Sequence, residues 1–133
     1  MSHNTTEDEI AIQAVLNDSY RAWAAGDSAA MVADYTADAT AIMPGSLRDG
    51  RDTIRESMGQ SFAGPLKNTS TANKQLSLRF VGEGAAIVVS ESGILFPGQT
   101  EVPDESKVNA TWVLEKRDGS WKIAAYHNSA VQA

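Results

Sequence analysis

The 133-residue chain contains no cysteine, which excludes disulfides, thiolate metal sites and cysteine nucleophiles together. Histidine is nearly absent too: only His3 and His127 occur, too few for a histidine zinc site. There is no P-loop, GxGxxG or HExxH, and Gly82-Glu83-Gly84 has no third glycine. Ser46, Ser90 and Ser92 lack the surroundings of a nucleophile elbow. No metal or cofactor is expected. Positive charge is in deficit, with 11 basic against 17 acidic residues and a formal net charge of −6, so nucleic acid and anionic membrane surfaces are poor partners. No apolar run reaches the ~20 residues that span a bilayer. The start, Met1 to Glu9, is polar and acidic, unlike a secretory or transit signal, and the expectation is a cytoplasmic protein.

What is present is an ordinary globular composition, 42% hydrophobic and 21% charged, in a length that suits one domain. Residues 1–8 read as a flexible lead-in, with Thr6 or Asp8 available as a cap, and 9–130 as the domain. Ile12, Leu16, Tyr20 and Trp23 lie at helical spacing between Glu9 and Ala25. Gly26 ends that helix, and Asp27 or Ser28 caps a short second one that carries Met31, Val32 and Tyr35 and stops near Asp38. Ala39–Met43 reads as a strand closed by Pro44-Gly45. A third helix places Ile54, Met58 and Phe62 at i, i+4 and i+8 before Gly64-Pro65. The period then changes to two: Leu76, Leu78 and Phe80 alternate with polar residues. Ala85–Phe96 is apolar on both parities, which predicts cover on both faces. Lys107–Arg117 and Trp121–Asn128 form a hairpin around Asp118-Gly119. The whole predicts an α+β fold, a curved antiparallel sheet closing on packed helices.

Four phrases carry a resemblance: Trp23-Ala24-Ala25-Gly26-Asp27, the Tyr35–Thr40 stretch, Gly50-Arg51-Asp52-Thr53-Ile54, and Asp118-Gly119-Ser120-Trp121-Lys122-Ile123 with His127-Asn128-Ser129. In this order, over residues 7–130, the chain resembles the NTF2-like superfamily, and within it the SgcJ/EcaC group close to the SnoaL-like proteins. That resemblance implies a conical half-barrel, in which three N-terminal helices pack against a strongly curved, mostly antiparallel sheet with a pocket at its open end. It implies homodimers through the outer sheet face. It also implies a hydrophobic polyketide or polyene ligand, enediyne intermediates included, with polyketide-pathway enzymes as partners. Ketosteroid isomerases of the same fold use an aspartate before a proline as base. The corresponding residues here are Met43-Pro44, so that chemistry is not carried over.

The candidate catalytic residues are His127 and Tyr20. Simple strand parity puts His127 with Trp121, Ile123, Ala125 and Ser129 on the apolar, helix-facing side. There it is either a core imidazole fixing the C-terminus or a proton-exchanging group facing a ligand. Tyr20 needs a partner for its hydroxyl, which suits a ligand carbonyl. Trp23, Tyr35, Met43, Met58, Phe62 and Trp112 are candidate lining, each with an alternative as plain core. Glu91, a charge in an apolar strand, either faces inward as an acid or base or outward to solvent or a dimer interface. The same parity places Asn109 and Asn128 outward, unless a bulge reverses it. The resulting expectation is a small-molecule pocket acting by proton transfer or cyclisation. A carrier without turnover and a purely dimerising module are its alternatives.

Overall fold

Helix α1 (Thr5–Ala24) opens the computed structural model, which describes residues 5–132. Glu7 and Asp8 lie in its first turn, where carboxylates favour the helix dipole. The helix therefore starts earlier than the expected lead-in allows. Thr6 and Asp8 are helical residues rather than caps, and residues 1–4 lie outside the described part of the chain. Ile12, Leu16, Ser19 and Ala22 form the buried stripe. At the C-terminus Asp27 N–H donates to Ala22 O (3.0 Å) and Gly26 N–H to Trp23 O (2.8 Å), a Schellman closure that needs the positive φ of 67° at Gly26. The side chain of Asp27 then accepts from Ala30 N–H (3.0 Å) and caps α2 (Ser28–Met31). One dipeptide thus ends one helix and begins the next.

Helix α2 is shorter than expected, and Tyr35 already belongs to strand β1 (Tyr35–Met43). A turn at Pro44-Gly45 leads into β2 (Ser46–Asp49), a strand the sequence reading does not contain. Helix α3 (Arg51–Ala63) buries Ile54, Met58 and Phe62 as expected, but it follows two strands rather than the one expected. Strands β3 (Ser70–Val81), β4 (Ala85–Leu95), β5 (Val108–Arg117) and β6 (Ser120–Ala130) complete the fold, with a 3₁₀ turn at Asp104–Ser106. Strand β3 begins earlier than the alternation at Leu76–Phe80 suggests. A register shift between Gln75 and Ser77 leaves Leu76 54% exposed.

The six strands run in the order β2-β1-β6-β5-β4-β3, all neighbours antiparallel except the parallel pair β1–β6. Strands β2 and β3 remain the two free edges. This corrects the expected conical half-barrel: the sheet is open, neither closed into a barrel nor strongly curved. The fold is α+β, with helices on one face of a mostly antiparallel sheet.

The core lies between them. Ile12, Leu16, Ile54, Val88, Leu114 and Ile123 are essentially inaccessible to solvent. Truncating any of these to alanine removes about 1–5 kcal/mol, the range for buried aliphatic side chains. On β4 the inward parity is Ala86, Val88 and Ser90, while Ile87 and Val89 on the other face are half-buried.

A cavity between the helices and the inner sheet face

A cavity of about 470 Å³ opens where the helices meet the sheet. Helix α1 contributes Ser19, Tyr20 and Trp23, and α2 Met31. Tyr35 and Met43 come from β1, Arg48 from β2, and Ile54 and Met58 from α3. Strands β4 to β6 supply Ser92, Trp112, Tyr126 and Asn128. The lining is dominated by apolar and aromatic groups with a few convergent polar atoms, the usual makeup of a small-molecule site.

The aromatic wall is built in sequence. Trp112 packs against Tyr126 with ring centroids 4.4 Å apart and planes tilted by 49°, and meets Tyr20 edge-on at 6.1 Å. Asn128 Nδ2 donates to the Tyr126 hydroxyl oxygen (2.8 Å), which leaves that hydroxyl's own proton free to donate. Burial pushes the Tyr20 phenol up to about 12, helped by the neighbouring Tyr126 and partly offset by Ser90 and Trp112. The Tyr126 phenol is raised by burial and partly relieved by Asn128, and burial raises Tyr35 as well. All three are neutral hydrogen-bond donors at physiological pH. Two buried polar atoms of the lining, Trp112 Nε1 and Ser92 Oγ, make no hydrogen bond of normal geometry.

Six expected site residues, Tyr20, Trp23, Tyr35, Met43, Met58 and Trp112, do line this cavity. Phe62 is buried beneath it, edge-on against Trp23 at 5.5 Å, and does not reach the lining. Trp23 hydrogen-bonds Thr69 Oγ1 (2.9 Å), so it also ties α1 to the approach of β3. Glu91 points outward beside Lys107, its Oε1 3.8 Å from the ammonium. That is the outward alternative, and the charge stays partly in water.

His127 requires a correction. It is exposed and does not line the cavity. The cause is a register shift in the β5–β6 ladder: Val113 pairs with Ala125 but Leu114 pairs with Ile123, leaving Ala124 as an extra residue. Trp121 and Ile123 point inward as parity requires, and beyond the bulge the faces exchange. Tyr126 and Asn128 therefore face the cavity in place of His127 and Ser129. Asn109 is exposed, as parity suggested.

Sequence reasoning missed Arg48, because the strand carrying it was missed. Its pairing with Ala41 puts it on the inner face, whereas Leu47 is 66% exposed on the other side. The turn at Pro44-Gly45 was the available signal: a chain reversing there lays Ser46–Asp49 back along β1.

These features define a class, the cystatin-like α+β proteins that hold a cavity between helices and sheet. Within that class the chain belongs to the SnoaL-like domain family, which matches residues 12–133. Among solved structures it is similar to a domain of unknown function with a cystatin-like fold from Nostoc punctiforme. That likeness has a TM-score of 0.88 at 27% identity and covers 98% of this chain and 81% of that one. An NTF2-like protein of unknown function from Shewanella oneidensis gives 0.77 at 22% identity, covering 92% and 98%. A ketosteroid isomerase-like protein from Erwinia carotovora gives 0.73 at 22% identity, covering 93% and 96%. The last two likenesses show the fold alone. No curated protein matches the chain. No described helix is long and apolar enough to cross a membrane.

Proposed function

We propose that this protein holds a hydrophobic, unsaturated small molecule of polyketide or polyene type in its cavity and orients a carbonyl on that molecule through Tyr20. The observation that carries this reading is the cavity itself: about 470 Å³, walled by Trp112, Tyr126, Met43 and Met58, with neutral phenols aimed into it. A phenol of raised pKa stays protonated, so Tyr20 serves as a hydrogen-bond donor to a carbonyl oxygen rather than as a base at neutral pH. Confining a flexible chain in one conformation and excluding water favours cyclisation without strong acid–base groups. The resemblance to the SgcJ/EcaC group supports a polyketide-pathway setting, enediyne biosynthesis and its partner enzymes included, in a cytoplasmic protein. It also supports a homodimer through the outer sheet face, where Ile42 and Leu47 are exposed.

A second reading, a carrier without turnover, is favoured by one observation. Among the described lining residues there is no carboxylate and no imidazole, so none titrates near neutrality. Both readings require occupancy. Titration with a conjugated lipophilic probe, followed by quenching of tryptophan fluorescence, is expected to saturate. Met58→Trp, which fills the cavity, is expected to abolish it. A protein that binds no lipophilic probe, or binds it equally after Met58→Trp, contradicts the proposal. Conversion of a bound polyene by the wild type but not by Tyr20→Phe separates enzyme from carrier.

A further inference from the structure

We infer that the ligand carries a carboxylate at one end and seats it on Arg48. This rests on the small-molecule reading of the cavity and specifies the ligand's head group.

Arg48 is the one formally charged side chain among the described lining residues. It is half-buried, held inward by the β1–β2 register, and its Nη1 donates to Met58 Sδ at 3.1 Å. A thioether is a weak acceptor, and a guanidinium has five N–H donors. No carboxylate among the described residues pairs with Arg48, whereas Lys107, Lys116, Arg117 and Lys122 each have an acidic partner. The cations Arg55, Lys67, Lys74 and Arg79 form no ion pair with a described residue either, but they are exposed to water. Arg51 is half-buried and donates to the backbone carbonyl of Tyr35. Arg48 alone among the described cations combines partial burial, an apolar setting and the lack of any oxygen acceptor. Loss of solvent lowers the affinity of its guanidinium for the proton, and no acid nearby restores it.

An uncompensated cation in such a setting is costly, and a ligand anion removes that cost. The guanidinium fork matches a carboxylate in bidentate geometry. A dianionic phosphate fits less well, because its second charge would face one cation only in a protein of net charge −6. The aromatic wall of Trp112 and Tyr126 takes the apolar body of the ligand. The order β2-β1-β6-β5 places Trp112 three strand spacings from Arg48, roughly 14 Å. The ligand class is then an elongated apolar monocarboxylate.

The test compares 4-dimethylaminocinnamic acid with its methyl ester at neutral pH, where the acid is ionised. The acid is expected to bind the wild-type protein at least about tenfold more tightly than the ester, as a charge-assisted pair requires. Arg48→Met is expected to lower acid affinity to that of the ester and leave the ester unchanged, while Arg48→Lys keeps part of the preference. Equal binding of acid and ester by the wild type, or a preference that survives Arg48→Met, overturns the inference and leaves the small-molecule reading standing. Absence of binding by both probes overturns that reading and this one together.

Discussion

Trp121 donates its indole N–H to Asp8 Oδ1 at 3.0 Å across 113 positions of sequence, joining the first turn of α1 to the last strand. Lys116 reaches the same oxygen at 3.1 Å. Asp8 is 5% exposed and Trp121 4%, so water cannot replace either partner. Asp8→Ala leaves a buried N–H and a half-buried ammonium without their acceptor. The expected loss is about 2–4 kcal/mol of stability by urea unfolding, with an unchanged denaturant slope. A loss below about 0.5 kcal/mol would mean that water satisfies the indole and the ammonium as well as the carboxylate does.

The Tyr20 phenol gives a pH dependence of definite sign. Its folded-state value of about 12 lies above the unfolded value of 10.0, so above about pH 10 the unfolded chain releases its proton first. Stability contributed by this group is therefore complete below about pH 10 and declines as pH rises toward about 12. Urea unfolding at intervals across that window should show the decline, shallower in Tyr20→Phe. An identical decline in the variant assigns it to other groups. The same substitution should weaken carbonyl-bearing probes by about fivefold, near 1 kcal/mol, if the hydroxyl donates to them.

Gly93 sits in β4 against Val102, and a Cβ added there would lie 2.4 Å from Val102 Cγ1. Val102 is buried, so it has little room to withdraw. Gly93→Ala should cost about 1–3 kcal/mol through overpacking. In Val102→Ala the same change should cost much less, and a double-mutant cycle on thermal unfolding checks the coupling. Additive effects would place the strain elsewhere.

His127→Gln should leave probe affinity unchanged, since the imidazole lies outside the cavity lining, whereas Asn128→Ala should alter it by freeing the Tyr126 hydroxyl oxygen. Isothermal titration of both variants distinguishes them. A His127 effect larger than that of Asn128 would mean that β6 takes a different register in solution.

Those two neighbouring residues also mark where sequence reading stops. The i, i+4, i+8 triplet Ile54, Met58 and Phe62, the joint at Gly26-Asp27 and the Asp118-Gly119 turn are local signals, and the structure contains all three features. Tyr20 and Trp112 were grouped as lining because the fold implied by the resemblance brings their elements around one cavity, and both do line it. The face taken by His127 was not legible. One extra residue at Ala124 inverts every side chain after it, and nothing in Ile123-Ala124-Ala125 announces that insertion. Arg48 was missed for a different reason: a four-residue strand with one apolar side chain, and that one exposed, carries no periodic signal. Sheet curvature and closure were inferred from the order of elements as well as from resemblance, and the open order of strands overturned both.

The parallel pairing of β1 with β6 bears on synthesis. A ribosome releases β1 early, yet its inner neighbour is the final strand, so until that segment emerges β1 can zip only to the short β2. Assembly of the sheet is therefore a late, long-range event with a heavy loop-closure cost, and the nascent chain must wait with an unsatisfied strand border. Shortening the protein from its tail would remove not an appendage but the seam on which both halves meet.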